Sequence, residues 1–117
     1  MSKVIQKVFL CLVLSHINAA MAADYYGYVS NIFVAWGKVY FRIGNGFFNG
    51  NASNCATSPD GVMYMLDPST NFGKILYSHI LAAKLSGRRV YINGDTICYP
   101  SVYGGNAEGV LGIDLKD

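Results

Sequence analysis

Charge is scarce in this chain. Only 14% of its 117 residues are Asp, Glu, Lys or Arg, and the formal net charge is +2. There is no basic run, so nothing supplies the electrostatic footprint of a nucleic-acid partner. Too few like charges are present for a self-repelling, disordered polymer, and 14% of the residues are aromatic. No Gly-x-Ser-x-Gly elbow offers a serine nucleophile. The segment Gly44-Asn45-Gly46-Phe47-Phe48-Asn49-Gly50 is rich in glycine. It has no lysine at the P-loop position and precedes no helix, so it reads as a strand connection. The acids Asp24, Asp60, Asp67, Asp95, Glu108, Asp114 and Asp117 are scattered and form no carboxylate pair of glycosidase type. No repeat or linker divides the chain, and its length allows one domain with a short appendage.

The appendage is at the start. Lys3 and Lys7 precede an apolar run from Val8 to Leu14, and Ala20-Met21-Ala22 places small residues where a signal peptidase reads. That is the pattern of a secretory leader over residues 1–22, cut after Ala22. The apolar run is far shorter than the roughly 20 residues of a bilayer span, and Ser15, His16 and Asn18 interrupt it. Removing 22 of 117 residues leaves a single 95-residue domain, 23–117. Lys3 and Lys7 leave with the leader, so seven basic and seven acidic residues remain and the mature charge is zero. Cys11 and His16 leave too, and Cys55, Cys98 and His79 stay. The expected location is therefore exported, either periplasmic or secreted, with no membrane span in the mature chain.

Two cysteines in an exported chain read most simply as a disulfide, Cys55–Cys98. A set of Cys55, Cys98 and His79 has no close ligand pair, so no metal site is expected, and no cofactor is implied. His79 falls on the apolar side of a predicted helix, where a packed histidine is the ordinary outcome. Asn51-Ala52-Ser53 fits the glycosylation sequon. Arg88-Arg89 is the only basic pair, and strand alternation sends its members to opposite faces.

The patterning is mostly β. Gly27–Phe41 alternates, with Tyr28, Ser30, Ile32, Val34 and Trp36 on one face and Val29, Asn31, Phe33 and Ala35 on the other. Both faces are largely apolar, as in a strand covered on two sides. Gly37-Lys38 breaks the run and Val39–Ile43 resumes it, a hairpin. Gly44–Asp60 is turn-rich, with Asn45-Gly46, Asn49-Gly50 and then Asp60-Gly61. Val62–Leu66 is a third strand. Phe72, Ile75, Leu76, His79, Ile80 and Ala83 recur at helical spacing, predicting a helix over Asn71–Leu85 with Ser69 or Thr70 as its cap and Gly87 at its end. Arg88–Ile92 is a fourth strand, Asn93–Thr96 a turn, Ile97–Tyr99 the start of a return, and Val110–Leu115 the last strand. The order βββαββ(β) is that of a mainly β domain with one helix, a small barrel like the oligonucleotide/oligosaccharide-binding (OB) fold.

Tyrosine is the feature left over. Tyr25, Tyr26 and Tyr28 cluster at the mature N-terminus, and Tyr99 and Tyr103 flank Pro100. An apolar ring with a hydroxyl tip suits sugar rings and subunit interfaces, so Tyr25, Tyr26 and Tyr28 are the candidate ligand-binding residues.

Gly27-Tyr28-Val29-Ser30 through Trp36-Gly37, then Val39-Tyr40-Phe41-Arg42-Ile43, resembles the opening hairpin of the B subunits of pentameric A–B bacterial toxins of the subtilase-cytotoxin and typhoid-toxin kind. The helix ending in Ser86-Gly87 before Arg88-Arg89-Val90-Tyr91-Ile92 is similar to that family's helix and next strand. Tyr99-Pro100 and Asn106-Ala107 before Val110-Leu111-Gly112 fall in the same order. The resemblance implies a non-enzymatic OB-fold subunit in a ring of five, its helix lining the centre, binding cell-surface glycans and carrying an enzymatic A-type subunit. The family's sugar-contacting serine falls at Tyr26 and its sugar-contacting tyrosine near Gly94, so those contacts do not carry over. Two other classes stay open. One is a stand-alone exported interaction protein, such as an inhibitor or envelope component. The other is a small hydrolase built on His79.

Overall fold

The structure is a computed structural model that describes residues 23–50, 55, 62–102 and 104–116. The leader, the Asn51–Ser53 sequon, Asp60-Gly61 and Tyr103 lie outside the described residues. The elements run β1 (Asp24–Ala35), β2 (Lys38–Phe48), β3 (Val62–Leu66), α1 (Asn71–Ser86), β4 (Arg89–Pro100) and β5 (Asn106–Leu115). The strands close into a barrel in the order β1-β2-β3-β5-β4, antiparallel throughout except for β3 beside β5. Among the described residues this is a mainly β, OB-like barrel with one helix.

The β1–β2 hairpin turns at Trp36-Gly37, with Ala35 paired to Lys38 and φ of +53° and +72° at the two turn residues. Two consecutive positive φ values give the tight turn whose twist matches its strands. Glycine adopts this without strain, but tryptophan does so rarely.

Four irregularities shape the barrel, one of them Leu111, the extra residue of β5 between the pairs Asn93–Gly112 and Gly94–Val110. Opposite Gly27, β2 carries two residues, Asn45 and Gly46, with Asn45 at φ +54°. Ser30 is the extra residue between the pairs Val29–Ile43 and Asn31–Arg42. In β4, Asp95–Ile97 stand opposite Gly109 alone, with Thr96 at φ +73°. Each is a β-bulge, which inserts residues into one strand and bends it.

These bulges correct the expected boundaries. Gly44–Phe48 is not a connecting loop but the end of β2, and Asn93–Thr96 is not a turn but part of one continuous β4. Two strands, not three, therefore follow the helix. The bulge at Ser30 also shifts which residues of β1 face inward. Tyr25, Gly27 and Val29 are buried, whereas beyond the bulge Ile32 packs on the core and Phe33 joins an outer cluster. An odd insertion moves every following side chain to the other face. Nor is β1 covered on both sides: Tyr28 and Val34 are exposed.

The interior is built from Val29, Phe41, Ile43, Tyr64, Val90, Ile92 and their neighbours. Helix α1 presents Gly73, Leu76, Ile80 and Ala83 to it. All five residues of β3 are buried, because Met63 and Met65 point outward into a second cluster with Tyr40 and Ala107. A short continuous apolar run of this kind marks a strand covered on both faces.

The helix starts as its sequence predicts. Thr70 Oγ1 accepts from the Gly73 N–H at 2.9 Å, and Asp67 accepts from the Ser69 N–H at 3.0 Å. At the other end Gly87 takes φ +67°, and the Arg88 N–H reaches the Ala83 carbonyl at 3.2 Å. Those bonds satisfy groups that a bare helix end leaves open. Asp67 also pairs with Lys38 at 3.4 Å; the Ser69 bonds first, then Lys38, hold its carboxyl below the usual range.

Gly73 yields a prediction whose sign runs against propensity. In an open helix, Gly→Ala gains about 1 kcal/mol. Here an alanine methyl would collide with the Asp67 carbonyl oxygen and lie 2.9 Å from Thr70 Oγ1. Gly73→Ala is therefore expected to destabilise by about 1–3 kcal/mol, read as a lower urea midpoint at unchanged slope. A raised midpoint would contradict the close packing at this cap.

Candidate ligand-binding face

The three candidate tyrosines do not act together. Alternation along β1 turns Tyr25 inward, where it is buried and meets Phe48 edge to face at 4.9 Å. Tyr26 faces outward, and so does Tyr28, which is 43% exposed.

Tyr26 is the centre of an outer aromatic row. It pairs with Phe47 across β2 and with Tyr91 across β4. The rings follow the ladder: Tyr26 stacks on Tyr91 at 4.3 Å between centroids and on Phe47 at 5.1 Å. Phe47 is 57% exposed. Cross-strand aromatic pairs of this kind stabilise a sheet by about 0.2–1 kcal/mol each. A strand surface does not need three in register, and the stack leaves an exposed phenylalanine ring open to solvent at one end.

Polar groups border it. The Tyr91 hydroxyl donates to Asp24 Oδ2 at 3.2 Å and accepts from Asn49 Nδ2 at 3.1 Å. The other Asp24 oxygen accepts from the Gly94 N–H at 3.3 Å. The Arg89 guanidinium carbon lies 5.8 Å from the Tyr26 ring centroid, within cation–π range. Its Nε is buried and has no hydrogen-bond partner among the described residues. Lys116 and Asp114 form an ion pair at 2.7 Å, and that carboxylate holds the Lys116 ammonium above its usual range. The face thus combines ring surfaces with donors and acceptors of both signs.

Its position depends on the bulge at Asn45-Gly46. Without that insertion Phe47 would not come opposite Tyr26, and the two would lie on different faces. Reasoning from sequence found Tyr26 but missed Phe47, Tyr91, Arg89 and Asn49. Phe47 lay in a stretch read as turns, and Tyr91 in a strand with no visible link to β1. Arg88, outside β4, is exposed and donates from Nε to the Lys116 carbonyl at 3.2 Å.

A scan of protein-family models matches none to this chain, and neither the curated proteins nor the solved structures provide a match. The face is therefore read from its own chemistry.

Two other sequence candidates can be placed. Cys55 and Cys98 form a disulfide with Cα atoms 5.3 Å apart. Such a bond is compatible with an oxidising compartment. Among the described residues, no helix is long and apolar enough to cross a membrane. His79 is not on the buried side of α1, contrary to the expectation from its spacing. It is exposed, and its Nδ1 lies 2.9 Å from the Ile75 carbonyl, one helical turn back. The stripe Leu76–Ile80–Ala83 is enough to seat the helix, and His79 falls just outside it.

Proposed function

We propose that this chain is an exported, non-enzymatic binding subunit that holds a carbohydrate on the outer face formed by Phe47, Tyr26 and Tyr91. The observation that carries the reading is the cross-strand row of three rings, exposed at Phe47 and bordered by Asp24, Asn49 and Arg89. Sugar rings offer C–H faces to aromatic rings and hydroxyls to such a border. Aromatic contacts of this kind contribute about 0.5–1.5 kcal/mol each. A single site would be weak, and useful affinity would come from several copies acting together. Apolar side chains left exposed on α1, Phe72, Ile75 and Leu85, support assembly. A ring of five that carries a separate A-type enzymatic subunit is the toxin-B-like version of this proposal.

The test is a glycan array together with the mass of the native assembly in solution. Phe47→Ala, at an exposed position, is expected to weaken glycan binding about tenfold per site, equivalent to about 1.4 kcal/mol, while lowering stability only by about 0.2–1 kcal/mol, the worth of its stack on Tyr26. Absence of glycan binding at high protein concentration would remove the carbohydrate reading, and a monomeric mass would remove the ring.

The second reading, a stand-alone interaction protein, is favoured by the hairpin tip. Val34 is 66% and Trp36 63% exposed there, a prominent apolar projection. Loss of a protein partner in Trp36→Ala, with glycan binding absent from the parent, would establish this alternative.

A further inference from the structure

Among the described residues, Glu108 is an acid with no exposed surface. An enclosed carboxylate is costly unless hydrogen-bond donors or a cation meet it. Both Glu108 oxygens lie 3.2 Å from the Ala23 nitrogen, and Oε2 also accepts from the Thr96 N–H at 3.1 Å. Among the described residues no lysine or arginine pairs with it. Gly94 makes room for it, since a methyl at that position would collide with Oε2. Ala23 is just as firmly held. It is fully buried, and its carbonyl accepts from the Tyr64 hydroxyl at 2.8 Å and from the Gly94 N–H at 3.1 Å. A seat fixed at both the nitrogen and the oxygen of one alanine is a built site, and that alanine is the first residue after the expected leader cut.

We propose that Glu108 is the receptor for the α-ammonium that leader removal creates on Ala23, so that processing completes the closure of the barrel. The proposal rests on the leader reading. In the cleavage step water hydrolyses the Ala22–Ala23 bond. The Ala22 carbonyl carbon gains the hydroxyl and leaves as a carboxylate, and the Ala23 nitrogen keeps the electron pair and takes up protons. In the precursor this nitrogen offers one hydrogen and no charge to two carboxylate oxygens. After cleavage it offers three hydrogens and a full positive charge, a counterion that no lysine or arginine among the described residues supplies to Glu108.

The ion pair stabilises the ammonium, so its titration moves above the ordinary α-amino range of about 7.7–8.0. The stability it contributes is complete below that range and is lost as pH rises through the raised value. Other ionisable groups face the seat. Asp24 accepts from Gly94 and Tyr91, and the Asp95 carboxylate lies against Gly109. Burial, and next the charge of Glu108, push the Tyr64 phenol well up, so it stays neutral throughout this window.

The experiment begins with the N-terminal sequence of the exported protein. A start at Ala23 is expected, and any other start removes the leader reading beneath the proposal. On the protein that starts at Ala23, the α-amine is titrated by NMR. Its midpoint is expected at least about one pH unit above the ordinary range, returning to that range in Glu108→Gln. At about pH 8 an amine-reactive ester should label the parent α-amine about fivefold more slowly than the variant's. An ordinary midpoint in the folded parent would overturn the receptor while leaving the leader reading intact. Should Glu108→Gln fail to fold, a chain that starts one residue earlier, at Ala22, keeps Glu108 and displaces the ammonium. It should lose the alkaline fall in stability, and an unchanged fall would count against the proposal.

Discussion

Replacing Cys55 and Cys98 with serine is expected to lower stability by about 4 kcal/mol. The two cysteines are 43 residues apart, and closing a loop of that length in the unfolded chain removes a large share of its conformational entropy. Domains of this size have a total stability of about 5–15 kcal/mol, so the loss would be about a quarter of it or more. The bond also joins two otherwise distant parts of the fold. Cys55 belongs to the connection between β2 and β3, and Cys98 to the bulged half of β4. Cys55 is buried with its Sγ 3.7 Å from the Ala107 carbonyl, and Ala107 packs with Tyr40, Met63 and Met65. Opening the bond releases the chain beside this outer cluster as well as relaxing the unfolded ensemble. Urea denaturation of the double variant against the oxidised parent measures the effect, and equal midpoints would refute it.

Gly46→Ala is expected to be nearly as damaging, at about 3 kcal/mol, while Gly44→Ala two residues away stays within about 0.5 kcal/mol. A methyl on Gly46 would collide with the Tyr26 carbonyl oxygen and lie 2.7 Å from the Gly27 Cα. Backbone atoms of a neighbouring strand cannot swing aside as a long side chain can. A methyl on Gly44 meets nothing within 4 Å. The contrast isolates the bulge, because both glycines sit in the same short stretch of β2. Gly46→Ala also moves Phe47 relative to Tyr26, so glycan binding should fall even under conditions where the variant remains folded. Equal stability of the two variants would mean that the bulge relaxes freely.

The bulges also explain what could and could not be read in the sequence. Local signals were legible: the β1–β2 hairpin, although its turn is Trp36-Gly37, one residue earlier than the expected Gly37-Lys38 break, the Thr70 and Gly87 helix ends, the buried run of β3 and the Cys55–Cys98 bond. These depend on residues close together in the chain, or on a pair with no competing partner. Strand continuity through Asn45-Gly46 and through Asp95–Ile97 was not legible, because bulges use the same asparagine, glycine and aspartate that make turns. The site was half legible. Tyr26 stood out in its tyrosine cluster, but its neighbours Phe47 and Tyr91 come from strands whose register no local pattern specifies. Glu108 looked like one more scattered acid, since nothing in its flanking residues signals that both of its oxygens point at Ala23.

The two ladders that close the barrel set an order of events in folding. The β1–β2 hairpin draws on adjacent residues and can form early. Pairing of Asp24 with Asn93, and of Tyr64 with Glu108, needs segments far apart in the chain. Contacts between distant parts of the chain form slowly, because their loop entropy is spent before any pairing repays it. β4 must therefore arrive before the first strand is flanked on both sides, and β5 before the third is. Until both arrive, the sheet is an open ribbon with unpaired edges, and the seat of Ala23 between β1, β4 and β5 does not yet exist.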